Sequence, residues 1–224
     1  DCGSLHAPTR AARQLVDACP IRRLDWLVLT HADHDHHNGT AALLQRAEVR
    51  RALLPRELAD SEVAALLRTH GAELAFLAPG ERLAPTPGIE VAAPVLATDG
   101  TTNDRSLWTT FAAGGTRVLF CGDAESEGIR AAIAQGVAAA SAVLVLPHHG
   151  RDDPAVPELL AVVRPACCLA SAASSDAATA AGEIARAFGA EVFVTGLDGD
   201  VEVELGEVAR VRVEVGWRVL RSGQ

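Results

Sequence analysis

Six ionisable side chains, His31, Asp33, His34, Asp35, His36 and His37, fall within seven residues, directly after a β-rich and nearly continuously apolar run at 24–30. That run reads as a strand buried on both faces, and the HADHDHHN segment behind it is far too polar to continue into a core. Residues 39–48 then space their apolar side chains as a helix does. A buried strand, a polar loop and a helix follow one another, with imidazoles and carboxylates concentrated at the strand end. These are ligand types for Zn, Mn or Fe, and a rigid strand end can hold them in place. The segment is therefore expected to bind metal.

Two further strand ends repeat this chemistry. A buried strand at 142–147 closes in His148-His149-Gly150, and the second arm of a hairpin, 107–113 and 116–121 around Gly114-Gly115, ends in Gly122-Asp123. Helices are expected over 59–68, 125–135, 156–163 and 176–188, and strands at 73–77, 89–96, 166–170 and 191–195. Residues 79–88, with three prolines and two glycines, read as a loop, and 201–205 with 208–215 as an antiparallel ribbon. With no linker and no repeat, the pattern predicts one α/β domain over 1–224: two sheets covered by helices, with the polar clusters at strand ends.

Composition narrows the function. Of 224 residues, 49% are hydrophobic and 22% charged, which fits a core-forming chain rather than a disordered one. No apolar run reaches the ~18 residues of a membrane span. The formal charge of −9, with all 20 basic residues Arg, argues against a broad basic groove for nucleic acid. Five cysteines without C-x-x-C spacing are expected to be reduced and structural. The chain opens on Asp1-Cys2-Gly3 without Met and reads as a piece of a longer protein.

Together these residues resemble the metallo-β-lactamase-fold hydrolases, and within them the C-terminal domain of the ComEC family of DNA-internalisation proteins. The resemblance lies in Asp1-Cys2-Gly3, THADHDHHNG (30–39), Asn103 to Leu107, CGDAE (121–125) and LPHHG (146–150), in the family's order. Asp33 stands where the wider superfamily has a second His, as in the ComEC-like branch. The resemblance implies an αββα sandwich of two mixed sheets flanked by helices, without its first N-terminal strands.

Carried over by position, His31, Asp33 and Asp123 would hold one divalent metal ion and Asp35, His36 and His149 a second, with Asp123 shared. Asp1 and His34 would support these ligands from behind, while Asn103, Ser106 and Arg151 would contact substrate. Asp35 and His148 would be catalytic, with His34 or His37 as other candidate proton donors. His70 is instead expected to complement a helix end. Three carboxylates favour Mn over Zn, and two divalent cations would outweigh them, giving an acidic chain a positive spot for a phosphodiester.

The implied function is a metal-dependent nuclease acting on DNA, single-stranded DNA above all, during uptake. The implied parent lies in the cell membrane, with upstream channel segments and this domain outside the cytoplasm. Hydrolysis of small esters or phosphodiesters, or metal-stabilised guiding of DNA without cutting, remain alternatives. One departure bears on activity: Ser174-Ser175-Asp176-Ala177-Ala178 replaces the family's Y-G-H-P segment.

Overall fold

The computed structural model describes Cys2, Thr9, Ala12, Val16 and residues 21–172, 175–213 and 216–219. The apolar run at 24–30 is not one strand. It divides into β1 (Arg23–Leu24) and β2 (Leu27–Val28), interrupted at Asp25, an exposed carboxylate approached by Arg23 and Arg50. The polar loop contains a single helical turn, α1 (His34–His37), followed by α2 (Thr40–Leu44), β3 (Glu48–Val49), β4 (Arg51–Pro55), α3 (Glu62–Thr69) and β5 (Glu73–Leu77). Strands β2, β4 and β5 form a parallel sheet in that order, while β1 pairs with β3. Ser61 caps α3 by accepting the Ala64 N–H at 3.2 Å. At its other end His70 Nδ1 lies 3.0 Å from the Leu66 carbonyl, the helix-end place expected of it.

The larger sheet follows: β6 (Arg82–Thr86), β7 (Ile89–Ala92), β8 (Trp108–Ala113), β9 (Thr116–Phe120), α4 (Ser126–Ala134), β10 (Val143–Val145), α5 (Val156–Val163), β11 (Cys167–Ala170), α6 (Ser175–Ala187), β12 (Glu191–Val194) and a helical turn α7 (Thr195–Asp198). Its seven strands run in the order β12-β11-β10-β9-β8-β7-β6. Pairing is antiparallel from β6 to β9 and parallel from β9 to β12. The segment expected as a loop at 79–88 contains β6. Pro85 is accommodated because β6 is an edge strand, where a missing N–H leaves no ladder bond unmade. A ribbon of β13 (Glu202–Glu204), β14 (Arg210–Val213) and β15 (Gly216–Val219) completes the described elements, one strand more than the alternation at 201–215 suggested.

Cores show how the layers stack. Trp108, Leu119, Leu144 and Cys168 on one face of the seven-stranded sheet pack with Ile129, Leu159 and Leu160 of α4 and α5. On its other face, Val118, Val143 and Cys167 meet Val211 and Ala209 of the ribbon, while Val91 and Leu107 meet Leu53 and Leu77 of the parallel sheet. Helices α2 and α3 cover that sheet's far side. The order is helix, sheet, sheet, helix, with the second sheet layer divided between the parallel sheet and the ribbon. Cys167 and Cys168 face opposite cores as a strand requires. All four described cysteines are buried and free.

Candidate metal centre

Strand β2 delivers His31 to the interface between the two sheets. The side chain is fully buried, and its Nδ1 lies 2.9 Å from the Thr30 hydroxyl. Its Nε2 has no hydrogen-bond partner. A buried imidazole nitrogen without a partner is costly in a folded protein. Burial holds the His31 pKa down to about 4, with His36 pushing in the same direction, so at neutral pH the ring is uncharged and able to act as a ligand. The α1 turn places His36 against it, with ring centroids 4.1 Å apart. Asp33 and Asp35 approach these two histidines at 3.9 Å each.

The opposite sheet supplies Asp123, just beyond β9. Its Oδ2 lies 3.2 Å from His36 Nε2, 3.5 Å from His149 Nε2 and 3.9 Å from His148 Nε2. Burial pushes the Asp123 carboxyl upward, but the His36 hydrogen bond and the His149, His36 and His31 charges outweigh it and the net shift is down. Donor atoms of His31, His36 and Asp123 all lie within 4.8 Å of one another. This buried trio forms the floor. His149 and Asp33 form a rim, their side chains 43% and 44% exposed, so the cluster opens to solvent on that side. Imidazoles converging on one carboxylate oxygen, with Asp33 and Asp35 beside His31 and His36 and an orphaned His31 Nε2, fit a divalent cation of the Zn or Mn type.

Backbone geometry at the rim is unusual. His148 and His149 both take left-handed conformations, with φ of 47° and 57°, each disfavoured by roughly 1–2 kcal/mol for a residue with a Cβ. The His148 N–H donates to the Gly122 carbonyl at 3.1 Å, which ties this turn to the one bearing Asp123. Gly122 itself has φ +55°, and a Cβ there would stand 2.8 Å from Ser106 Cβ and Oγ. Only glycine fits this close approach.

The sequence from residue 2 to residue 194 matches the model of the beta-lactamase superfamily domain. The chain belongs to that superfamily. Within it, the chain is 27% identical over 161 residues to ComE operon protein 3 of Bacillus subtilis (strain 168), covering 70% of the chain and 21% of that protein. It is 28% identical over 215 residues to the competence protein ComA of Neisseria gonorrhoeae, covering 92% and 29%. The chain thus spans less than a third of the length of these curated relatives. Among solved structures, the metallo-β-lactamase fold protein YhfI from Bacillus subtilis superposes with a TM-score of 0.59 at 15% identity, covering 87% of this chain and 82% of that one. The CmlA beta-hydroxylase E377D mutant superposes at 0.53 and 15%, covering 77% and 43%. The fold is the metallo-β-lactamase fold, as the strand-end motifs led one to expect.

Other candidate residues of this superfamily member take varied places. Ser106, expected to face substrate, is fully buried, and its Oγ accepts the Asp123 N–H at 3.1 Å; it supports Asp123 from beneath. Asn103 Nδ2 donates to Glu125 at 3.1 Å, while its Oδ1 is buried and unpaired. Arg151 is exposed, with Nη1 3.2 Å from His148 Nε2. His34 and His37 stack edge to face; His37 contacts the Ala32 carbonyl, and burial lowers its pKa. Asp1, Ser174 and the side chains of 175–179 lie outside the described residues.

Two acidic residues gain roles that the sequence reading did not assign. Glu125 accepts from Thr101 and Asn103 and lies 3.3 Å from His148 Nδ1. Asp104 is buried, yet its carboxylate accepts from Gly128 N at 2.8 Å and from Thr101 N and Oγ1 at 3.0 Å. It caps the first turn of α4 from a distant segment, where a negative charge is favoured. Both lie inside motifs read from the sequence, Glu125 in CGDAE and Asp104 in the segment from Asn103 to Leu107, but neither motif shows the partner that its carboxylate meets.

Proposed function

We propose that this chain is a metal-dependent hydrolase that cuts DNA phosphodiesters during competence-related uptake, as part of a membrane protein whose channel lies in other segments. The supporting observation is the single carboxylate oxygen of Asp123, within 3.2 Å of His36 and 3.5 Å of His149, which joins ligand groups from both sheets. His31, Asp33 and Asp123 would hold one divalent cation; Asp35, His36 and His149 would hold a second, with Asp123 shared. Bound there, such cations, Mn in preference to Zn, would offset phosphate charge and make water more acidic. The competence-protein relatives favour DNA as the substrate. Among the described residues no helix is long and apolar enough to cross a membrane.

The protein's own side chains divide the remaining work. His148 is the proton donor to the leaving oxygen: Glu125 lies against its Nδ1, and its Nε2, which accepts from Arg151 Nη1 here, is freed to carry a proton once Arg151 turns to the phosphate. Arg151, exposed beside it, contacts a phosphate oxygen. Ser106 and Asn103 act behind these groups, steadying Asp123 and Glu125.

The test is metal analysis coupled to degradation of single-stranded DNA with Mn, with Zn and with chelator. The wild type should bind metal and degrade DNA with Mn. Asp35→Ala should fall to background while its circular dichroism is unchanged. Retained activity in that variant would refute the assignment, and full metal occupancy without turnover would favour a module that guides DNA without cutting it.

A further inference from the structure

A cavity of about 200 Å³ lies beside the metal centre, walled by Pro55 at the end of β4, Leu77 at the end of β5, Pro94 and Leu107, with Glu57, Asp99 and Arg105 as its ionised groups. Its position follows from contacts of the segment 105–107. Leu107, on the cavity wall, donates its N–H at 2.8 Å to the carbonyl of Thr30, the residue preceding His31. Ser106 holds the Asp123 N–H, and Arg105 lines the cavity. Three consecutive residues thus separate the cavity from the metal ligands. The strand order agrees, because β4 is the neighbour of β2 and β5 the next strand. With strands spaced about 4.8 Å apart, the walls stand about 5 and 10 Å sideways from the strand that carries His31.

The polar equipment of the cavity is only partly used within the protein. Arg105 commits Nε and Nη2 to the Asp99 carbonyl, at 3.1 and 2.5 Å. Among the described residues, neither its Nη1 nor the Glu57 carboxyl forms a hydrogen bond. A cavity this size falls below the ~300–1,000 Å³ of sites for drug-sized ligands and suits one ring system.

We propose that this cavity receives a base of the substrate strand next to the scissile phosphate, and prefers guanine. This rests on the nuclease reading for its substrate class. Proline and leucine walls suit the flat apolar faces of a base. Guanine alone offers two adjacent donors, N1–H and N2–H, that one carboxylate accepts as a pair, and O6 and N7 that a guanidinium can bond. Thymine's single ring N–H is flanked by carbonyl oxygens that repel a carboxylate, while cytosine and adenine set a ring acceptor beside their amino group.

The experiment titrates dGMP, dAMP, dCMP and TMP into metal-free protein in chelator, following the backbone amides of Glu57, Arg105 and Leu107 by NMR. It is run beside cleavage of oligonucleotides that differ only in guanine content. We expect dGMP to bind tightest, and Glu57→Gln to weaken it about tenfold, the effect of losing one paired contact, with the other nucleotides little changed. Glu57 is exposed on a surface turn, so the variant should fold. Equal binding of all four nucleotides, or dGMP binding unmoved by Glu57→Gln, would overturn the proposal. Cleavage without base preference would overturn it and leave the nuclease reading standing; selective dGMP binding without cleavage would support the pocket and remove the nuclease.

Discussion

Acid should destabilise the metal-free protein through His31 in a window that can be calculated. Burial holds its folded pKa at about 4, against 6.5 for an ordinary histidine. The unfolded chain therefore takes up a proton that the folded chain resists. Stability from this group is fully present above pH 6.5 and is lost as pH falls from there toward 4. Each pH unit is worth about 1.4 kcal/mol, so the full loss is about 3 kcal/mol, of which about 2 is gone by pH 4.5. Asp123 does not share this window, because its lowered pKa places its loss below pH 3.8. His37, also lowered by burial, does share it, so a variant must isolate His31. The assay is urea unfolding in chelator at pH 7 and pH 4.5. His31→Asn, which does not titrate, should be less stable at pH 7 and lose about 2 kcal/mol less than wild type over the interval. Equal losses in the two proteins would refute the argument that a neutral, buried His31 is what acid attacks.

Asp104→Ala should cost about 2–4 kcal/mol in the same unfolding assay, since hydrogen bonds to a charged acceptor contribute ~1.5–3 kcal/mol and Gly128 N would be left buried without one. Gly122→Ala should destabilise by roughly 1–3 kcal/mol, because it combines left-handed backbone with a clash at Ser106, and calorimetry should show weaker Mn binding as Asp123 shifts. Mn at about a hundred times its dissociation constant should raise stability by about 3 kcal/mol, and Asp123→Asn should remove most of that gain while a chelated control barely changes.

Legibility followed the range of the interaction. The cluster at 31–37 could be read because no core tolerates so many ionisable groups side by side, and the glycine-bounded turns at Asp123 and His149 marked two more strand ends. The hairpin at Gly114-Gly115 was equally local, and both glycines have positive φ. What was hidden depended on distant partners. β4 went unread because a five-residue run gains its strand character from β2 and β5 on either side. β6 looked like a loop because its edge position, which tolerates Pro85, belongs to the sheet and not to the segment. Ser106 looked like a surface contact because nothing near it reveals that Asp123 N lies above its hydroxyl. Asp104 resembled any polar turn residue, since its helix terminus lies 24 residues away.

The same distribution of contacts bears on what the centre does for the fold. Of the residues proposed to hold metal, His31, Asp33, Asp35 and His36 follow the parallel sheet's β2 while Asp123 and His149 follow strands of the seven-stranded one, so neither sheet alone would supply a complete set. Between the two sheets, among the described residues, stand an apolar cluster of Leu53, Leu77, Val91, Ala93 and Leu107, with Trp26, Val28, Ala75 and Leu83 packed against it, and backbone contacts such as Leu107 to Thr30. The larger helix-covered cores lie on the outer faces. A cation shared through Asp123 would therefore join two layers that apolar packing holds less extensively than it holds each layer to its helices. An ion bound there would contribute to sheet docking as well as to chemistry, and the His31–Asp123 seam is where the metal-free protein should open first under acid or denaturant.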